Sequence, residues 1–467
     1  MAALIKHFIA KSPTFLLLNQ TNRQCLRSIR SHRLYSTDLI NKHYDIIICG
    51  GGPAGISMAC SISKNTKLSD REVLVLDGAP KFKGFNADKY GNRVYAINKG
   101  TVSLMESIGV WDKIVNVRCQ PVKQMQVWDA CSDAIITLNH ANFSDDMAYI
   151  VENDLLMSVL LQQLEQNSNI TLKSSASIGS VQLPRDGFES SGVTLKTGER
   201  YSCDLLIGAD GANSVVRKQM DVDNFSLSYN QMGLIATVEI SEGVDNQVAW
   251  QRFLPNGVIA LLPLSENLSS IVWSSSTENV KHLLSLPEES FIDAVNDSFW
   301  KQYPKNQIVS NAMKTVESIF GNYSQTVRQL PPSIKSLYEK SRAAFPLGFG
   351  HTSTYAAKGC VLIGDAAHRV HPLAGQGLNL GFGDVKLLTE LLAEASYNGA
   401  PLGNLSHLCA YERERLQHNV PIMLGIHGLQ RLYSTDFSPI VLLRSVGLQL
   451  VNAIPPLKQL FINKAMH

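Results

Sequence analysis

The sequence predicts an α/β protein: a parallel sheet built from strand–turn–helix units, an inserted mostly antiparallel sheet, and C-terminal helices. Three short apolar runs, Tyr44–Cys49, Asp204–Gly208 and Cys360–Ile363, read as fully buried parallel strands. Each passes through a glycine-bearing turn into a segment with helical periodicity, so the strand–turn–helix unit occurs three times. Between the second and third units lie consecutive strand-like runs, Leu234–Ile240, Val248–Leu254, Val258–Leu264 and Ile271–Ser274, separated by turn residues.

The chain begins with a segment that the fold does not need. Residues 1–35 carry Lys6, Lys11, Arg23, Arg27, Arg30 and Arg33, and the first acid is Asp38. An acid-free, Arg- and Ser-bearing start predicts a mitochondrial transit peptide over residues 1–35, cut after Tyr35 in Arg33-Leu34-Tyr35-Ser36. Of the 42 basic residues, 36 then remain against 40 acidic ones, a net charge of −4, with no basic face for nucleic acid. The eight cysteines are scattered without a C-x-x-C pair and read as buried hydrophobes rather than a zinc site or disulfide framework. No apolar run reaches the roughly 18 residues that a membrane span requires, so any membrane contact is peripheral.

In the first unit the strand Tyr44–Cys49 is followed at once by Gly50-Gly51-Gly52-Pro53-Ala54-Gly55 and a helix from Ile56. A second buried strand, Val73–Leu76, ends at Asp77. In this context G-x-G-x-x-G is a dinucleotide fingerprint. Gly50 permits the turn, Gly52 admits a pyrophosphate, Gly55 lets helix and strand pack, and Asp77 accepts from the adenosine ribose. Arg93, on the glycine-bearing loop that follows, is placed to clamp pyrophosphate, although a solvated surface charge is the default for a lone arginine. Helices around Val102–Ile108 and Leu155–Leu164, the latter capped by Glu152-Asn153-Asp154, and strands near Lys123–Asp129 and Ala134–Leu138 complete this half.

The second unit ends its strand at Asp210-Gly211, with Ser214 opening a helix. A helix cap or turn role for Asp210 and Ser214 stands beside a cofactor role, and no G-x-S-x-G elbow makes Ser214 a nucleophile. Helical runs near Glu278–Leu284 and Glu288–Trp300 follow the inserted strands. The third unit carries the most chemistry. Its strand delivers Asp365, a loop bears His368, His371 and Pro372, and Gly375, Gly377, Gly381 and Gly383 open a helix. Glycines there admit a flat ligand, and the helix start offers N–H groups and about half a positive charge. A strand-end acid for a hydroxylated chain, next to a positive helix end for a reduced ring, is what flavin chemistry needs.

His368 and His371 are three apart without a third or fourth ligand, so no metal site is assigned, and loop shaping or hydrogen bonding is their expected role. No second glycine fingerprint follows in a βαβ unit, so electrons arrive by transient nicotinamide binding or from a protein donor. The domain reading is 44–220 with 341–395 for the nucleotide-binding half, 110–150 adding to the substrate side, 225–340 for the substrate sheet, and 396–467 for the helical end. The apolar tail Ile440–Ile462 suits a core or partner-docking helix pair, with interfacial lipid contact as the alternative.

The order GGGPAG, DLLIGADGANSVVR and GCVLIGDAAH resembles the single-component aromatic hydroxylases that use FAD and dioxygen, folds of the para-hydroxybenzoate hydroxylase type. The run from His371 to Asp384, HPLAGQGLNLGFGD, is similar position for position to the ubiquinone-biosynthesis flavin monooxygenases, and with the basic leader to their mitochondrial branch. The resemblance covers the chain from Tyr44 to its end. It implies FAD and hydroxylation at ring C5 of a 3-polyprenyl-4-hydroxybenzoate, or its 4-amino analogue, through a C4a-hydroperoxyflavin. It also implies a peripheral place on the matrix side of the inner mitochondrial membrane in a ubiquinone-synthesis multi-enzyme complex, with ferredoxin and ferredoxin reductase as donor.

Carried over residue by residue, Gly50, Gly52, Gly55 and Asp77 bind the ADP half, Arg93 and Asp210 lie near pyrophosphate, and Asp365 holds the ribityl chain. Pro372, Gly375 and Gly377 form the catalytic ring environment with Leu378 and Asn379, and no acid or base is assigned. Another FAD ring hydroxylase and a non-catalytic scaffold of a biosynthetic complex are the alternatives. A halogenase would need a W-x-W-x-I-P run, whereas Trp250, Trp273 and Trp300 stand alone.

Overall fold

Leu76, Cys49, Gly208 and Leu362 lie side by side across four parallel strands, so four chain segments leave the sheet at one level. In the computed structural model the described residues are 40–303 and 329–454, apart from 133, 140–144, 185–189, 242–244 and 436, with isolated positions in 307–311 and 456–459. The basic leader of residues 1–35 lies outside them, as does most of 304–328.

The first sheet runs Ala356–Ala357, Cys360–Leu362, Arg200–Gly208, Ile40–Cys49, Val73–Leu76, Ile170–Lys173, with Ser191–Leu195 and Ile178–Gln182 added through Arg200–Gly208. Its central strands read as unbroken apolar runs because both faces are covered. Ile46, Ile47, Ile48 and Cys49 have no exposure, and each buried isoleucine contributes about 1.5–3 kcal/mol of transfer free energy. The first helix, Pro53–Lys64, packs between Asn153–Glu165 and the glycine helix, Gln376–Tyr397. Glu152 precedes Asn153–Glu165 but makes no side-chain cap, contrary to the capping read from the sequence. Its carboxylate instead accepts from Arg118 and the Gly91 N–H.

The second sheet has nine strands, eight of them in the order His368–Arg369, Ala343–Thr352, Asn224–Ile240, Leu268–Ser276, Gly257–Pro263, Val248–Leu254, Gln124–Asp129, Ile135–Asn139. Ile334–Leu337 also pairs with Asn224–Ile240. Only Val248–Leu254 and Gln124–Asp129 run parallel within it; its other pairs are antiparallel. Ala343–Thr352 belongs to this sheet, so the second sheet takes strands from both sides of residue 340. Pro346, Gly348 and Gly350 interrupt the apolar pattern of that strand, yet it pairs from Ala343 opposite Ile235 to Thr352 opposite Asn224, and Leu347, Phe349 and His351 are buried.

The chain ends in the 29-residue helix Leu405–Tyr433 and the C-terminal helix Ser438–Ala453. The latter docks through a buried ion pair in which Arg444 Nε donates to Asp129 Oδ2 at 2.7 Å, both side chains being 1% exposed. Among the described residues no helix is long and apolar enough to cross a membrane.

Candidate cofactor site

The row of strand ends brings Gly50, Asp77, Ala209-Asp210 and Gly364-Asp365 to one end of the sheet. Gly50 adopts φ +120°, and a Cβ on it would sit 2.2 Å from the Ala209 carbonyl oxygen, so the first two turns touch backbone to backbone. A Cβ on Gly55 would lie 2.0 Å from the Gly50 oxygen, which fixes how closely the first helix meets the turn. Gly52 differs, with nothing within 4 Å of its added Cβ. It begins the first helix without a side-chain cap, leaving the Ala54 and Gly55 N–H groups at an open, positive helix end. Gly51 carries a constraint that the fingerprint spacing does not show, since its Cβ would lie 2.6 Å from Asp77 Oδ2.

The acids divide by what already binds them. Both oxygens of Asp210 face the helix Val215–Gln219: Ser214 Oγ donates to one, and the N–H groups of Val215 and Val216 donate to the other at 2.6 and 3.2 Å. That is the cap reading of Asp210, and Ser214 completes it by accepting from the Arg217 N–H at 2.9 Å. Asp77 is half-buried and accepts one local bond, from the Ala79 N–H. Asp365 makes no hydrogen bond to any described residue. Its carboxylate is open to solvent, but protein packs densely round it. Burial pushes its carboxyl above the usual range, partly countered by His368, Arg369 and Arg93. The exposed guanidinium of Arg93 is thus near enough to act on Asp365, and lies 5.5 Å over the Tyr95 ring.

Before the glycine helix, His371 begins a short 3₁₀ turn, Pro372–Ala374, its Nδ1 accepting from the Leu373 N–H at 3.2 Å. The turn closes at Gly375 with φ +62°, a conformation that favours glycine, and the glycine helix starts there without a side-chain cap. His371 is buried and stands edge-on to Tyr229, with ring centroids 5.1 Å apart. Burial drops its pKa to about 4, so at neutral pH it is uncharged and shapes the turn. The side chain of Asn379 is held within the protein. Its Oδ1 accepts from Thr101 Oγ1 at 2.8 Å and the Asn98 N–H at 3.2 Å, and its Nδ2 donates to the Ala96 carbonyl at 2.9 Å. It ties the glycine helix to the segment after Arg93.

A buried polar cluster behind Asp365 went unassigned in the sequence. Asp384 has no exposure, and its Oδ2 accepts from His368 Nε2 at 2.6 Å and the Gly364 N–H at 2.8 Å. Oδ1 accepts from Arg415 Nε at 2.6 Å and Asn419 Nδ2 at 3.3 Å. Burial alone would raise the carboxyl, but His368 and Arg415 outweigh it and hold its pKa down at about 2. Asp384 does close the glycine-rich signature. Arg415, in Glu412-Arg413-Glu414-Arg415, reads as one of a solvated charged set until the helix is seen packed on its neighbour.

The residues present fit FAD. Asp365 offers an unpaired carboxylate between two uncapped helix starts, at Gly52 and Gly375, and the open face of Gly52 leaves room for a pyrophosphate.

The FAD binding domain family matches residues 43–307 and 340–423. The ubiquinone biosynthesis monooxygenase COQ6 of Drosophila melanogaster is 53% identical over 429 residues, 91% of this chain and 90% of the relative. Its Homo sapiens counterpart is 45% identical over 435 residues, covering 91% and 92%. Among solved structures, p-nitrophenol 4-monooxygenase PnpA from Pseudomonas putida superposes with a TM-score of 0.66 at 15% identity, over 91% of this chain and 98% of that one. Pseudomonas aeruginosa PqsL in complex with 2-aminobenzoylacetate gives 0.65 at 19% identity, over 87% and 99%. These two show the shared fold. With the FAD domain matched over most of its length and relatives this similar along nearly all of it, the chain is an FAD-dependent monooxygenase and belongs to the COQ6 family of ubiquinone biosynthesis monooxygenases.

Proposed function

We propose that FAD lies along the row of strand ends, with its adenosine ribose at Asp77, its pyrophosphate at the Gly52 helix start beside Arg93, and its ribityl chain on Asp365. Pro372, Gly375, Gly377 and Leu378 then border the ring. The observation that carries this placement is Asp365, unpaired while Asp210 and Asp384 are both saturated by protein donors. Asp210 acts by shaping its turn, and Asn379 contributes through its backbone, its side chain being engaged elsewhere.

The reaction that fits the family is hydroxylation at C5 of a 3-polyprenyl-4-hydroxybenzoate or the 4-amino analogue. Bound FAD, once reduced, supplies activation of dioxygen: one oxygen atom enters the ring and the other leaves as water. The chain's part is positional and electrostatic. The uncapped N–H groups at Gly375 place positive potential where a reduced ring carries negative charge, which stabilises the reduced cofactor. Pro372, Leu373 and Leu378 present apolar surface that keeps water from the reacting atoms. Neutral His371 adds no competing charge beside them.

Ferredoxin and its reductase as electron source, a matrix-side place on the inner membrane, and membership of a ubiquinone-synthesis complex follow the same reading. Peripheral contact is supported by the apolar residues that the C-terminal region exposes, Phe437 at 61% and Leu443 at 67%. The placement is tested by flavin content. Purified protein should carry FAD, Asp365→Ala should lose most of it, and undiminished flavin in that variant removes the assignment. The reaction is tested by supplying reduced ferredoxin, dioxygen and the prenylated acid, and looking for product heavier by one oxygen atom.

A further inference from the structure

We infer that Asp384 and Arg217 are positioning residues for the cofactor, bracing the Asp365 turn from its two sides. The inference rests on the FAD placement proposed above. Immediately before Asp365, the Gly364 N–H donates to Asp384 Oδ2 at 2.8 Å. Immediately after it, the Ala366 carbonyl accepts from Arg217 Nη1 at 2.6 Å. Asp384 has no exposure and Arg217 has 8%. A charge buried to this degree persists only where its own partners are complete.

Asp384 meets that condition with four donors, from Gly364, His368, Arg415 and Asn419. Arg217 reaches two carbonyls, its Nη2 donating to Ala212 at 2.6 Å in the turn after Asp210. One guanidinium therefore joins the second and third strand-end turns. One carboxylate joins the third turn to the glycine helix, whose start borders the ring. Contact closes the arrangement sideways: Gly364 has φ +59°, a Cβ on it would lie 3.4 Å from Ala54 Cβ, and a Cβ on Gly381 would lie 3.2 Å from Gly364 Cα. The separation between the Asp365 carboxylate and the Gly375 helix start is thus set by buried charges rather than by the intervening loop. A ligand that spans both points needs that separation fixed.

Asp384→Asn tests the brace. All four groups facing Asp384 donate in the present arrangement, and an amide replaces one acceptor oxygen with an NH₂, so the Gly364 or the Arg415–Asn419 contact must fail. Asp129→Asn, in an equally buried ion pair far along the chain at the C-terminal helix, is the control for lost stability. FAD is titrated into flavin-stripped protein, the visible absorbance of bound FAD is recorded, and the stripped proteins are melted.

Asp384→Asn should weaken FAD by about tenfold or more, the loss of one charged hydrogen bond, and shift the visible band, while Asp129→Asn loses stability but keeps affinity and spectrum. Folded Asp384→Asn with unchanged affinity and spectrum, or Asp129→Asn weakened equally, overturns the inference. If Asp384→Asn does not fold, Arg217→Lys decides, because one ammonium does not span both carbonyls. Weakened FAD with a shifted band supports the brace, and unchanged binding overturns it. Asp365→Ala runs in parallel: normal affinity there overturns the cofactor placement itself, whereas weak binding there with normal Asp384 and Arg217 variants overturns the brace alone.

Discussion

Arg118 and Glu152 form an ion pair around which the loop between Asp77 and Arg93 is wrapped. Beyond its bond to Glu152, the Arg118 guanidinium donates to the Ala87 carbonyl at 2.8 Å and to Lys89, and lies 3.9 Å over Tyr90 and 4.7 Å over Phe85. Glu152, 3% exposed, also accepts the Gly91 N–H at 2.6 Å. Residues 77–93 contain no helix or strand, so this pair does the ordering that secondary structure does elsewhere.

Arg118→Met keeps the stem and removes every guanidinium donor, leaving the buried Glu152 without its counter-charge and with only the Gly91 N–H. Unfolding free energy should fall by about 3–5 kcal/mol. Trypsin should cut faster at the exposed Lys81, Lys83 and Lys89 of the loop. Adding Glu152→Gln should restore part of the stability, since it removes the stranded charge. Unchanged cleavage in Arg118→Met would show that the loop holds without the pair.

Gly52 and Gly55 of the fingerprint should fail differently. A methyl at Gly55 meets the Gly50 oxygen at 2.0 Å, so Gly55→Ala should damage the turn itself and lower the melting temperature of flavin-stripped protein. A methyl at Gly52 meets no protein atom within 4 Å, at a φ of −76° that alanine adopts freely. Gly52→Ala should melt normally when stripped but bind FAD weakly, by intrusion on the pyrophosphate. Equal FAD affinity in Gly52→Ala and the wild type would place the phosphates elsewhere.

The pattern of fold and site that sequence reading captures follows from range. Gly50, Gly55 and Asp77 are legible because a strand, a turn and a helix lie within one short segment. Most strands of the inserted sheet are legible from apolar runs between turns; the short Ile334–Leu337 and His368–Arg369 are not, nor is Ala343–Thr352, whose Pro346, Gly348 and Gly350 imitate a loop. The partners of Asp384 were not legible. Arg415 and Asn419 lie 31 and 35 residues away on another helix, and only packing shows which of four neighbouring charges turns inward. The side-chain partners of Asn379 were not legible either, since Ala96, Asn98 and Thr101 are far off in the chain.

Acid should destabilise the protein in two windows. His371 is held at about 4 in the folded chain, below its ordinary value near 6.5, by burial. The unfolded chain therefore binds the proton first, and the stability is complete above about pH 6.5 and lost as pH falls toward 4. Asp384 is held at about 2, so its contribution is complete above about pH 4 and disappears only as pH falls further toward 2. Denaturant unfolding of flavin-stripped protein at pH 7, 5.5 and 4.5 should show the first loss, and His371→Asn should remove part of it, the rest belonging to His351, which burial also holds at about 4. A slope unaffected by that substitution would assign the first window to other groups.

The C-terminal helix offers a last separation, between docking and surface contact. Val441, Arg444 and Ser445 share its buried side, at helical spacing, and Arg444 there donates to Asp129, Leu432 and Thr435. Leu443 consequently turns outward, 67% exposed, with Phe437 nearby at 61%. Arg444→Met strands Asp129 in the interior and should cost about 3–5 kcal/mol of stability. Leu443→Glu should leave the melting temperature and FAD content as they are, because nothing buried changes. On the peripheral contact proposed above, it should nevertheless reduce co-sedimentation with vesicles of inner-membrane lipid composition, since exposed apolar area is replaced by a carboxylate. Undiminished co-sedimentation of Leu443→Glu together with Phe437→Glu would remove this face as the membrane contact, while leaving the docking by Arg444 intact.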